Sequence, residues 1–277
     1  MSKEIFQLKP NIYGIGIDLR ALHKRWKELR GRALSDDGGV ATVASRFLGV
    51  FAEHGVSSAG IPRLVPSLRY EDLRDEHSLL SALTPGTLDQ AASLFGVRTA
   101  WLTGTDDAIY DLDYSYKSPS RLGEKLSQLK RDTYNVPLRA ISTSKCLDRH
   151  GAYVQRLELV AVEPVATVDE TTIYRFHPFA DGWDWRYEEC RIQLKAMVRA
   201  LGHPVPLYQV SESDMDLAYR GELFYRSALR GPRITEPSLE DYAMTAAESV
   251  HAKEVDEMHR VHTYIGEHGL KRVARQG

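Results

Sequence analysis

The sequence predicts an α+β protein. An all-helical N-terminal part is followed by a small mixed α/β domain with a mostly antiparallel sheet, and a long helix ends the chain. Three observations predict this. Up to about residue 131 the apolar residues recur at three- and four-residue spacing, as on amphipathic helices. From Val136 the period shortens to two, in V-P-L-R-A-I-S-T and again in Y-V-Q-R-L-E-L-V-A-V-E-P, as on half-buried strands. From Ser238 a stripe of Leu239, Ala243, Ala247, Val250, Met258, Val261 and Ile265 runs over several helical turns.

Residues 1–40 supply the first element. Asp18 is placed to cap a helix in which Leu19, Leu22, Trp26 and Leu29 share one face. Around that face stand Arg20, Lys24, Arg25, Lys27, Arg30 and Arg32. A basic amphipathic helix of this kind suits phosphates, an acidic partner or a membrane surface. It equally suits a docking helix whose basic side is merely solvated. Gly14 and Gly16 do not make a nucleotide loop, and Ser35-Asp36-Asp37-Gly38-Gly39 reads as a connector.

The block 41–110 is the most organised stretch. Val43, Phe47, Val50 and Phe51 line a helix that Gly55 ends, because glycine enters the left-handed cap without strain. Ser57 is placed to cap a second, short helix. Leu88, Ala91, Ala92 and Phe95 form another stripe, closed by Gly96 and followed by Val97, Trp101 and Leu102. This ordering resembles the helix-turn-helix domain of the phage-repressor family (Cro/C1-type). The residues that carry the resemblance are Leu94-Phe95-Gly96-Val97 and Trp101-Leu102-Thr103-Gly104, and it covers about a quarter of the chain. It implies a five-helix domain whose third helix lies in the major groove of DNA. That helix corresponds to Pro66–His77, where Glu71, Asp72, Asp75 and Glu76 surround Arg69 and Arg74 and oppose approach to phosphates. Pro62, in the segment matching helix two, departs from the family's pattern.

Residues 111–135 read as a tyrosine-rich acidic linker that packs on the preceding helices, then a short helix with Leu122, Leu126 and Leu129 on one face. Residues 136–235 form the α/β domain, as a sensor or assembly module. Three strands come first, the last being T-T-I-Y-R-F-H-P after an acidic turn. A helix over Glu188–Leu201 ends at Gly202, V-P-L-Y-Q-V returns to strand, and Ser211 or Ser213 caps a further helix. Residues 236–277 hold the terminal helix, which either clasps this domain or pairs with a second copy. No internal repeat or low-complexity segment appears.

The totals bound the function. The chain has 277 residues, of which 43% are hydrophobic and 27% charged, as in soluble globular proteins. A net charge of -2 provides no global attraction to nucleic acid, so phosphate binding needs a local patch. Two cysteines, Cys146 and Cys190, fit a reducing interior. The start lacks a secretory apolar run, and no stretch approaches a membrane span, so a cytoplasmic protein without membrane association is expected.

Candidate chemistry is sparse. His251, His259, His262 and His268 show carboxylate-x-x-His and His-x-x-His spacings, but the matching ligands of a metal bundle are absent. Cys146 and His150 lack the spacing of a zinc site. No catalytic residues, metal or cofactor are assigned, and an enzyme is the less favoured class. The stretch His177–Tyr187 stands out as a loop between strand and helix. Its His177, Trp183, Trp185, Arg186 and Tyr187 suit a ligand pocket or a partner's anchor, and equally an aromatic plug under the sheet.

The leading expectation is therefore a bacterial or phage DNA-binding transcriptional regulator with a C-terminal sensing or oligomerisation domain. It would grip double-stranded DNA through Arg20, Lys24, Arg25, Lys27, Arg30, Arg46, Arg63, Arg69 and Arg74 and form a homo-dimer through the terminal helix. The alternative is a protein–protein adaptor or assembly component whose helix-turn-helix-like fold no longer reads DNA.

Overall fold

A computed structural model describes residues 39–116, 118–129, 136–144, 146–150, 153–202, 205–230, 233–234 and 252–270. The basic helix expected at 18–32 lies outside the described residues, with Arg20, Lys24, Arg25, Lys27 and Arg30. So do residues 35–38 of the connector and the start of the terminal helix at Ser238. The described chain is α+β, with ten helices and a five-stranded mixed sheet. It forms two compact units. One takes the described residues up to Asp111 together with Pro164–Arg175, and the other takes Leu112–Glu163 and the described residues from Phe176 onward. Among the described residues no helix is long and apolar enough to cross a membrane.

The first unit is built on two helices with apolar stripes. Phe47, Val50 and Phe51 of α1 (Gly39–Glu53) are buried, and Phe51 meets Phe95 edge-on at 4.8 Å. The chain then makes a 3₁₀ turn (Ser58–Gly60) and α2 (Ile61–Leu64). Ser57 stands at the predicted cap but makes no side-chain capping bond. The amide it would accept from, that of Gly60, donates to the Ser57 carbonyl instead. Pro62 sits in the first turn of α2, where its missing N–H has no partner to lose.

The 66–77 stretch departs from the helix expected there. It holds turns and one 3₁₀ turn (Glu71–Leu73), and α3 (Glu76–Ala82) starts only at Glu76. Aspartates account for the break. Asp72 accepts the Arg69 amide at 2.7 Å, and Asp75 caps α3 by accepting the Ser78 amide at 2.8 Å. Each local bond competes with a continuous helix. Leu68 and Leu73 still anchor the segment in the core. After α3, Thr84 caps α4 (Pro85–Phe95), Gly96 ends it at φ +69°, and α5 (Thr99–Leu102) buries Trp101 and Leu102.

The second unit opens with α6 (Pro119–Leu129), whose Leu122 is buried. The sheet follows, with β1 (Leu138–Ser142), β2 (Arg156–Val168), β3 (Thr171–Asp184), β4 (Leu207–Gln209) and β5 (Arg233–Ile234) in the order β3-β2-β1-β4-β5. β1 runs antiparallel to β2, from Leu138 opposite Ala161 to Ser142 opposite Leu157, and parallel to β4. β4 and β5 are antiparallel. The acidic turn between β2 and β3 is Asp169-Glu170, with φ of 46° and 64°. Two successive positive φ values match the twist of a two-residue hairpin. β3 continues to Asp184, so the loop expected at His177–Tyr187 is mostly strand.

Strand alternation sends Leu157, Leu159 and Ala161 to one face of the sheet, against Cys190, Leu194, Met197 and Val198 of α7 (Glu188–Leu201). The opposite side of α7 presents Ile192 and Ala196 to Met258 and Val261 of α10 (Ala252–Glu267). The described part of the terminal helix thus clasps its own unit. The other sheet face carries Glu158, Val160 and Val162, and α8 (Glu212–Tyr219) and α9 (Tyr225–Ala228) follow β4 in the chain. Ser211, of the two serines considered, caps α8 by accepting the Asp214 amide at 3.0 Å. Tyr116 of the linker belongs to the second unit. It meets Trp183 edge-on at 5.2 Å within the second unit.

Candidate functional site

The four described arginines expected on phosphates are each engaged by carboxylates. Arg46 departs furthest from that role. It is 7% exposed and donates to the carbonyls of Trp101 at 2.5 Å and Asp106 at 2.8 Å, with Asp107 at 3.5 Å. Its guanidinium also lies 5.4 Å from the Trp101 ring centre. Burial pulls its pKa down, against the opposing pull of Asp107. It ties α1 to the end of α5. Arg63 pairs with Asp169, Arg69 with Glu71 at 3.1 Å, and Arg74 with Asp75 at 3.0 Å. Asp75 is held down to about 2 by the Ser78 backbone amide first and by Arg74 second. Its negative charge therefore persists through the whole neutral range. Tyr70, between Arg69 and Glu71, is 64% exposed.

The aromatic group of the second unit divides by exposure. Trp183 and Trp185 lie in the core beside Phe179 and Leu194. His177 Nε2 lies 2.9 Å from buried Glu163. Arg186 reaches Asp184 at 3.4 Å. Tyr187, just ahead of α7, is 54% exposed.

Beside Trp183 lies a polar constellation absent from the sequence expectations. Asp181 accepts four hydrogen bonds, from Ser115 N and Oγ at 2.5 Å each, Tyr116 N at 2.9 Å and Trp183 Nε1 at 3.0 Å. Its own amide donates to Glu158 Oε2 at 2.9 Å, and the Gly182 amide donates to Glu158 Oε1 at 3.0 Å. Gly182 sits at φ +66°, a kink that turns these two amides toward the side chain of the neighbouring strand. A Cβ at Gly182 would stand 3.2 Å from Tyr219 Oη, so the phenol of α8 packs directly on this glycine. Tyr219 is among the groups that act on Glu158, and the Arg156 guanidinium stands 5.7 Å from the Tyr219 ring centre.

Burial decides the state of Glu158. Glu158 is 1% exposed, and burial pushes its pKa up to about 8, with the Asp181 charge adding to the rise. Burial first, and Glu158 second, push Tyr219 up as well. Glu158 is therefore mostly protonated at neutral pH. In the sequence, Glu158 looked like the polar member of an alternating strand. The missing signal was that both sheet faces are covered.

A second ionic cluster pins α10. Glu257, 2% exposed, accepts from Lys195 at 2.7 Å, Arg191 at 3.0 Å and Arg149 at 3.4 Å. Arg191 also donates to the carbonyls of Trp185 and Arg186. Among the described residues no group of three or more His, Cys, Asp or Glu side chains is placed to hold a metal ion. No protein-family model, curated protein or solved structure matches the chain.

Proposed function

We propose that the protein is a protein–protein adaptor or assembly component, with a helix-turn-helix-like N-terminal unit that does not read duplex DNA. The observation that supports this reading is the state of the groove-reading segment. Residues 66–77 are not one helix, and Arg46, Arg63, Arg69 and Arg74 each have a carboxylate within ion-pair distance. Bringing a phosphate to Arg69 or Arg74 means displacing Glu71 or Asp75 while Asp72 and Glu76 remain nearby. The same segment suits a protein partner better. Tyr70 with Arg69 and Arg74 combines the residue types that anchor protein interfaces, and their acidic neighbours complement a basic rim.

The second reading, a DNA-binding regulator, is favoured by the basic residues between Arg20 and Arg32. One experiment separates the two. The full chain is taken through rounds of selection on random duplex DNA at low salt. In parallel, its endogenous partner is identified by cross-linking and the complex is rebuilt from purified components. The adaptor reading expects no enriched duplex. It also expects a reconstituted complex that weakens at least tenfold in Tyr70→Ala. An enriched duplex whose affinity falls steeply with salt would overturn it in favour of the regulator.

A further inference from the structure

We infer that α8 is a proton-operated lid over Glu158, closed while that carboxyl is neutral and released as it ionises. The inference is independent of the adaptor reading. It starts from a geometry in which the Glu158 carboxyl is sealed on every side. Asp181 and Gly182 of β3 donate one amide to each of its oxygens. Tyr219 of α8 lies on Gly182, whose amide holds Glu158 Oε1. On β1 the residue opposite is Ile141, which offers no charge.

The charged and titratable groups that face this site are few. Asp181 comes from β3 and accepts hydrogen bonds from Ser115, Tyr116 and Trp183. Tyr219 comes from α8. Arg156, two residues before Glu158 on the same strand face, lies against the Tyr219 ring. Its charge is already matched by Asp216 and Glu212 of α8, each at 2.6 Å. Among the described residues no cation pairs with Glu158 or with Asp181 beside it. Ionised Glu158 is thus stabilised by opening to water, and burial outweighs the bonds that favour its charge.

The lid is α8 because it covers the site with a side chain, Tyr219, whereas β3 holds the Glu158 carboxyl through its backbone. This helix has eight residues, and Glu212, Ser213 and Asp216 are exposed along its outer side. Apart from Tyr219, its buried side chains are Met215 and Ala218. β3, by contrast, is fixed through the four donors on Asp181 and the amides on Glu158. Lifting Tyr219 hydrates the carboxyl without breaking the sheet.

The sign follows from linkage. The closed state holds the Glu158 proton up to about pH 8, whereas a hydrated glutamate releases it near its ordinary value of 4.5. Stability of the closed lid is complete below pH 4.5 and declines as pH rises toward 8. Between those limits the opening constant grows about tenfold per pH unit.

Amide hydrogen exchange on the full chain reads this directly. Intrinsic exchange itself rises about tenfold per pH unit, so amides released by the lid speed up about a hundredfold per unit from pH 5 to 7.5. Above pH 8 they return to about tenfold. The steep slope is expected at Asp181, Gly182, Ala218 and Tyr219, and a slope of about tenfold at Leu194 in α7. In Glu158→Gln, which has no proton to release, all of them follow the tenfold slope. A tenfold slope at Gly182 in the unmutated protein sinks the proposal. So does a steep slope that persists in the Gln variant, or one shared by Leu194, which signals unfolding of the whole unit. If the variant does not fold, the carboxyl ¹³C titration of Glu158 decides. A midpoint near 8 sustains the lid, and one between 4 and 5 removes it.

Discussion

Arg46 and Glu158 are both charged residue types standing where water does not reach, and the fold treats them in opposite ways. Arg46 cannot give up its proton, so its charge is met by two carbonyls, the Asp107 carboxylate and the Trp101 ring. Glu158 can take up a proton, and burial favours that outcome. Their sequence neighbourhoods do not distinguish them from surface residues. Arg46 stands one position before Phe47 on a helix, and Glu158 lies between two leucines on a strand. Arg46→Ala is expected to lower the unfolding free energy of the full chain by about 2–4 kcal/mol, because carbonyls that ended α5 lose their donor. Denaturant unfolding followed by circular dichroism checks this. A change below about 0.5 kcal/mol, the size of an ordinary surface substitution, shows that the guanidinium is not structural.

Elements were legible where spacing and caps agree. α1, α4 and α7 follow their apolar stripes, and the glycines at 55, 96 and 202 all take the left-handed conformation expected of helix ends. The hairpin turn was legible only as acidic. Its backbone makes Glu170 hold φ 64° without the freedom of glycine. Glu170→Gly relieves that strain and should raise stability by about 0.5–1 kcal/mol, after the added entropy of the unfolded chain is deducted. A thermal midpoint that falls instead contradicts the turn assignment. The terminal helix depends on Glu257. Burial pushes this carboxyl up, but bonds from Arg191 and Lys195 outweigh burial and hold it below the ordinary carboxylate range. Its contribution is therefore present above about pH 4.5 and is lost as pH falls below it. Glu257→Ala leaves buried cations without their anion and should destabilise the chain by about 3–5 kcal/mol at pH 7. The gap to the unmutated protein should narrow in acid. An equal gap at pH 3 and pH 7 speaks against the ionic anchor.

At the scale of the molecule, the net charge of -2 leaves nucleic-acid binding to local patches. In the described helical unit, Arg46, Arg63, Arg69 and Arg74 each have an acidic partner. Spacing in the sequence determined the α+β class, the succession of stripes and strands, and most helix ends, because periodicity and caps are local properties of the chain. Tertiary structure decided which polar residues are buried. It set Asp107 beside Arg46, three cations around Glu257, and Tyr219 over Glu158. The reason is that desolvation depends on everything packed around a group, and for Glu158 the covering phenol lies 61 positions further along the chain.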